Sequence, residues 1–175
     1  MGRLFDSYDE AWTYFLAREE PLESFFAALP EDESAELELW VVEPPAAVKA
    51  AVARVQDAFA HLEWIAPVPA HFLHIGLGVE RPATGRPIEI DYRRVNCFHE
   101  AVVVEAHAPL PGLPHLSVGY VREPRDADEL RRALVPLRDE SFGRATATEA
   151  LHVRVPAARA TVTQSWTVLE RFDLR

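Results

Sequence analysis

Two segments of this chain repeat one pattern. Leu73-His74-Ile75-Gly76-Leu77-Gly78-Val79 and Pro114-His115-Leu116-Ser117-Val118-Gly119-Tyr120 both run x-His-apolar-small-apolar, with a glycine next. Side chains alternate between the faces of a strand, so this order fixes what each face offers. Leu73, Ile75, Leu77 and Val79 share one face of the first strand, with His74, Gly76 and Gly78 opposite. In the second, Leu116, Val118 and Tyr120 share the apolar face, and His115, Ser117 and Gly119 the reverse. Each strand thus calls for a helix layer on one side and presents a histidine over a floor cleared by glycine on the other.

The surrounding pattern agrees. Strands are expected at Leu37 to Val42, around Trp64, and at Phe72 to Val79, Ile88 to Val95, Ala101 to His107 and Leu116 to Val121. Two more, about Ala150 to Val155 and Thr161 to Phe172, close the chain. One helix opens at Pro44-Pro45 and runs to about His61, with Val48, Val52, Val55 and Phe59 on one face; a second is capped by Asp126, holds Leu130, Leu134 and Leu137, and stops short of Gly143. Proline and glycine mark turns at Pro67 and Pro69, a loop from Glu80 to Arg86, and a turn at Pro109-Leu110-Pro111-Gly112. Strands dominate, which makes the fold α+β with mainly antiparallel sheets rather than doubly wound.

Residues 1–33 form an acidic N-terminal extension ahead of a domain spanning 34–175. Its apolar residues fall at helical spacing twice, as Tyr8, Trp12, Phe15 and Leu16, then as Leu22, Phe25, Phe26 and Leu29, with Pro21 suited to the first turn of the second helix. An amphipathic cap packed on the body is expected; a partner-binding or lid segment is the alternative.

Charge and cysteine count narrow the partners. The net charge is −10, and residues 1–43 hold twelve acids against Arg3 and Arg18, so the rest is balanced. An acidic head on a neutral body is ill suited to gripping DNA or long RNA, where phosphate contacts dominate affinity, but it leaves room for a small anion in a local pocket. No apolar run approaches the roughly 18 residues of a membrane span, and Met1 to Asp6 lacks a signal-peptide apolar stretch. A lone cysteine, Cys97, makes neither an internal disulfide nor a thiolate cluster. A cytoplasmic monomer, free of membrane, metal and cofactor, is the expectation.

Two imidazoles over an open floor suit phosphodiester chemistry. One, neutral, takes a proton from the attacking oxygen, while the other, protonated, gives one to the departing oxygen. An unperturbed pKa near 6.5 lets both states coexist around neutrality. Ser117, two residues beyond His115, is placed to hold charge on a non-bridging oxygen. The residues alone equally admit two structural histidines on half-buried strands.

At these residues the chain resembles the 2H phosphoesterase superfamily, which includes bacterial 2′,5′ RNA ligase-like proteins and cyclic nucleotide phosphodiesterases. Its members carry two His-x-Thr/Ser motifs on strands of a bilobal, pseudo-twofold α+β fold with outer helices. The element order from about residue 36 onward is similar, including the closing Trp166-Thr167-Val168-Leu169-Glu170-Arg171-Phe172. The resemblance implies His74 and His115 as the acid–base pair, with Ser117 and the position of Gly76 holding phosphate. It implies a metal-independent phosphodiesterase acting on 2′,3′-cyclic phosphate RNA ends or small cyclic nucleotides, with 2′,5′ RNA ligation as related chemistry. The first motif has Gly76 in place of the hydroxyl residue, and His74 and His115 are only 41 positions apart, as if connecting helices were trimmed from an open groove. The alternative expectation is a nucleotide- or phosphate-binding module on the same fold, with the acidic head as partner surface.

Overall fold

Period-two alternation builds two antiparallel sheets, and helices pack on the larger of them. The computed structural model describes residues 5–82 and 85–175; Met1 to Leu4, and Ala83 and Thr84 of the Glu80–Arg86 loop, lie outside the described residues. In chain order the elements are α1 (Tyr8–Ala17), β1 (Glu36–Val42), α2 (Ala46–Phe59), β2 (Ile65–Pro67), β3 (Ile75–Gly78), β4 (Ile88–Phe98), β5 (Ala101–His107), β6 (His115–Val121), α3 (Asp128–Leu134), β7 (Ser141–Ala147), β8 (Glu149–Pro156) and β9 (Thr167–Asp173). One sheet has strand order β3-β1-β8-β9, the other β2-β6-β5-β4-β7. The two histidine motifs therefore open strands in different sheets, giving a two-lobed α+β fold. Among the described residues, no helix is long and apolar enough to cross a membrane.

The apolar stripe expected on the first long helix buries Val48, Val52, Val55 and Phe59. Glycines seat both ends of α2 on the five-stranded sheet. Near its start, a Cβ on Gly143 of β7 would lie 3.7 Å from Val48, and near its end a Cβ on Gly119 of β6 would lie 2.8 Å from Phe59 and 2.9 Å from Ile65. Gly143 also has φ +111°, inside the left-handed region that favours glycine. Sequence reading makes it a helix stop; it lies instead within β7, an edge strand that the mostly small or polar residues from Ser141 to Ala147 conceal.

Both histidine strands carry a bulge at the same place. β3 pairs Gly78 with Trp40 but Gly76 with Val41, so Leu77 is extra. β6 pairs Gly119 with Val102 but Ser117 with Val103, so Val118 is extra. An unpaired residue reverses which way the following side chains point. Alternation thus holds only from each histidine as far as its bulge. Beyond it, Val79 is exposed rather than buried, Gly119 faces α2 rather than the histidine side, and Tyr120 turns to join His115 and Ser117. The strand expected from Phe72 starts later, because Ala70–Phe72 forms a single 3-10 turn.

The head is built into the body. The Ser7 hydroxyl caps α1 by accepting from the Glu10 N–H, and Phe15 and Leu22 are fully buried in the same core as the sheets. Only one 3-10 turn, Phe26–Ala28, forms where a second helix is expected. The backbone N–H groups of Leu22, Glu23 and Phe25 donate instead to the carbonyls of Arg125, His99 and Val121. The Phe25 N–H, which a helix would aim at the Pro21 carbonyl, is thus spent on the body, and Leu22 is held in a bridge to Arg125.

Candidate functional site

β3 and β6 meet where the two sheets approach, and their histidines enter one cavity of about 400 Å³. Gly76 and Ser117, each two residues beyond its histidine and before its bulge, line the same cavity. All four candidate site residues are thus brought together.

The two imidazoles are held identically. His74 Nδ1 lies 2.6 Å from the Phe72 carbonyl oxygen, and His115 Nδ1 lies 2.9 Å from that of Leu113. A carbonyl only accepts, so Nδ1 must carry the proton in both rings. Each neutral ring therefore presents the Nε2 lone pair, and each protonated ring presents Nε2–H. Rings fix the remaining freedom: His74 makes edge contacts with Phe72 and Trp166, and His115 with Phe98 at 4.9 Å between centroids. Both pKa values are pushed below the ordinary histidine value, chiefly by burial, and each is partly offset by its carbonyl partner. His74 is lowered further by His115 and raised by Glu43. Such a pair gives or takes one proton at each of two points in a shared space.

Ser117 and Gly76 differ in what they supply. Ser117 and Tyr120 both line the cavity; burial raises the Tyr120 pKa, and the nearby Ser117 hydroxyl partly offsets that. At Gly76 there is room but no donor side chain: a Cβ built there meets only Leu39, at 4.0 Å.

The structure adds residues that sequence parity does not reach. Tyr120 arrives through the Val118 bulge, and its ring stacks on Phe25 at 3.8 Å and 11°. Phe25 comes from the N-terminal segment and lines the cavity, as do Phe98 and Glu100 of the β4–β5 hairpin. The Tyr8 hydroxyl of α1 donates to the Pro114 carbonyl at 2.5 Å, next to His115. The Tyr8 carbonyl accepts from Asn96 Nδ2, which also donates to the fully buried Glu105; Arg138 and His107 donate to the same carboxylate. Burial beside Glu105 pushes the Tyr8 pKa up, keeping its hydroxyl a donor.

The other histidines stand apart from the cavity. His71 is expected on the buried face; it is exposed instead, bonded through Nε2 to the Gln164 carbonyl, because it lies in the 3-10 turn. His99 is stacked on Phe5, and His152 on Trp40. Among the described residues, no three His, Cys, Asp or Glu side chains converge as a metal site.

The fold, two antiparallel sheets with one histidine strand in each, is shared by solved structures. TT0787 of Thermus thermophilus superposes with a TM-score of 0.60 at 19% identity, over 79% of this chain and 97% of its own. Escherichia coli LigT, solved with ATP, matches at 0.58 and 16% identity over 78% and 96%, and a crystal structure described as a phosphoesterase at 0.57 and 15% over 80% and 99%. No protein-family model matches the chain. No curated protein matches it by sequence.

Proposed function

We propose that this protein is a phosphodiesterase that opens 2′,3′-cyclic phosphates, on a small nucleotide or an RNA end, by proton transfer between His74 and His115. The observation that carries the reading is the matched pair of imidazoles, each with Nδ1 committed to the carbonyl two residues back and Nε2 left for substrate. The cavity falls in the size range of small-ligand sites. One neutral ring accepts a proton from water as its oxygen attacks phosphorus. The P–O3′ bond breaks, and the other ring, protonated, delivers its proton to O3′, leaving a 2′-phosphate. Ser117 donates to a non-bridging oxygen, and at Gly76 a backbone N–H or a water stands in for the absent hydroxyl. If an RNA 5′-hydroxyl replaces water, the same transfers yield a 2′,5′ linkage. LigT on this fold has been solved with ATP, with 3′-AMP and with NADP+, which supports a nucleotide as the ligand.

A second reading, a nucleotide- or phosphate-binding module without turnover that offers its acidic head to a partner, is favoured by Gly76. Incubating purified protein with 2′,3′-cyclic mononucleotides in EDTA, beside His115→Ala, separates the two. Formation of 2′-phosphate by the wild type alone is expected. Binding without product on long incubation would replace the enzyme reading with the binding module.

A further inference from the structure

We propose that Glu100 reads the base of the bound nucleotide and makes this a guanine-preferring site, an inference that rests on the cavity being a cyclic-nucleotide site. The cavity has two chemically distinct ends. His115 opens the β5–β6 ladder opposite Glu105, and the ladder closes where Ala101 faces Tyr120, roughly 13 Å of backbone away at 3.3 Å per residue. Glu100 precedes Ala101 at that far end and lines the cavity with Phe25, Phe98 and Tyr120.

A carboxylate here is out of place in a site built only for phosphate. No Lys or Arg is among the described residues lining the cavity, so of these only a protonated histidine offers an anion a positive charge. Phosphate is repelled by Glu100 and drawn to the histidine end. What remains near Glu100 is the base, set against the aromatic side chains of Phe25, Phe98 and Tyr120 that line the cavity. A carboxylate has two acceptor oxygens side by side and rewards two adjacent donors. Guanine alone provides them, N1–H and the N2 amino group, on its Watson–Crick edge. Adenine, cytosine and uracil each set a lone pair beside their donor there, and a lone pair held against a carboxylate oxygen is unfavourable. Burial, with Glu23 nearby, already raises the Glu100 pKa, so its ionised form gains from an incoming pair of donors.

The test compares kcat/KM for the four 2′,3′-cyclic mononucleotides at pH 7, together with Kd for the four 2′-monophosphates, in wild type, Glu100→Gln and Glu100→Ala. A guanine preference over adenine of roughly 10- to 100-fold is expected in the wild type, collapsing to within a few-fold in both variants. The ratio is taken within one preparation, so a smaller folded fraction cancels. Equal use of all four nucleotides, or a preference that survives both substitutions, overturns the role of Glu100 and leaves the phosphodiesterase reading standing. If no nucleotide is bound or turned over, both readings fall.

Discussion

Replacing Gly76 with serine should raise turnover, because the strand already holds the space that a hydroxyl needs. A Cβ at Gly76 meets nothing nearer than Leu39 at 4.0 Å, and the backbone there is outside the left-handed region, so a side chain enters without strain. The position matches Ser117: both lie two residues beyond a carbonyl-anchored histidine and one before a bulge. A single donor aimed at developing oxyanion charge is worth about 10²- to 10³-fold in kcat where it has been removed. A hydroxyl added to an unadapted site should recover part of that, so about tenfold is the working expectation for Gly76→Ser. Loss of glycine freedom from the unfolded chain should stabilise the fold by about 0.4–1 kcal/mol. The assay is kcat on a 2′,3′-cyclic nucleotide, with a thermal melt in parallel. A well-folded variant with kcat at or below wild type would refute the idea that the missing hydroxyl limits the rate.

The remaining expectations test other parts of the site. The folded pKa values of both histidines lie below 6.5, so the free enzyme loses its required proton before neutrality, and the alkaline limb of kcat/KM should have its midpoint below pH 6.5; a midpoint above 7 contradicts the burial argument. By the same shifts the unfolded chain binds more protons than the folded one just below pH 6.5, so stability should fall as pH drops through 6.5 toward the folded values, read as a declining Tm. Gly119→Ala sets a methyl 2.8 Å from Phe59 and should cost about 1–3 kcal/mol, visible as a shift of the urea midpoint; an unchanged midpoint would show that α2 yields freely. Tyr8→Phe removes the donor to the Pro114 carbonyl and should lower kcat by roughly 3- to 10-fold through looser placement of His115, with KM little changed; a pure KM effect would assign Tyr8 to ligand binding instead.

How far the sequence discloses this structure depends on whether an interaction is local. The His74 and His115 strands and the Ser117 face are legible because alternation is a property of neighbouring residues. The buried stripe of α2 is legible for the same reason. Tyr120 and Gly119 are not, because the bulge that exchanges their faces is defined by pairing with β5. The glycine that sequence logic assigns to the cavity floor instead makes room for Phe59. Leu22, Phe25 and Phe26 carry a good helical stripe, yet bonds to Arg125, His99 and Val121 outweigh it. Glu100 enters the cavity through the turn between β4 and β5, and no periodicity announces that.

The claim at the centre of this account is that His74 and His115 act as one acid–base unit. The most direct test is kcat/KM for His74→Ala, His115→Ala and the double variant on a 2′,3′-cyclic nucleotide in EDTA, each shown to be folded. Each single substitution should cost about 10²- to 10⁴-fold, and the double variant should be little worse than the poorer single one, since half a proton relay serves no better than none. Near-wild-type turnover in either single variant, or losses that multiply fully in the double, would contradict the paired-histidine mechanism.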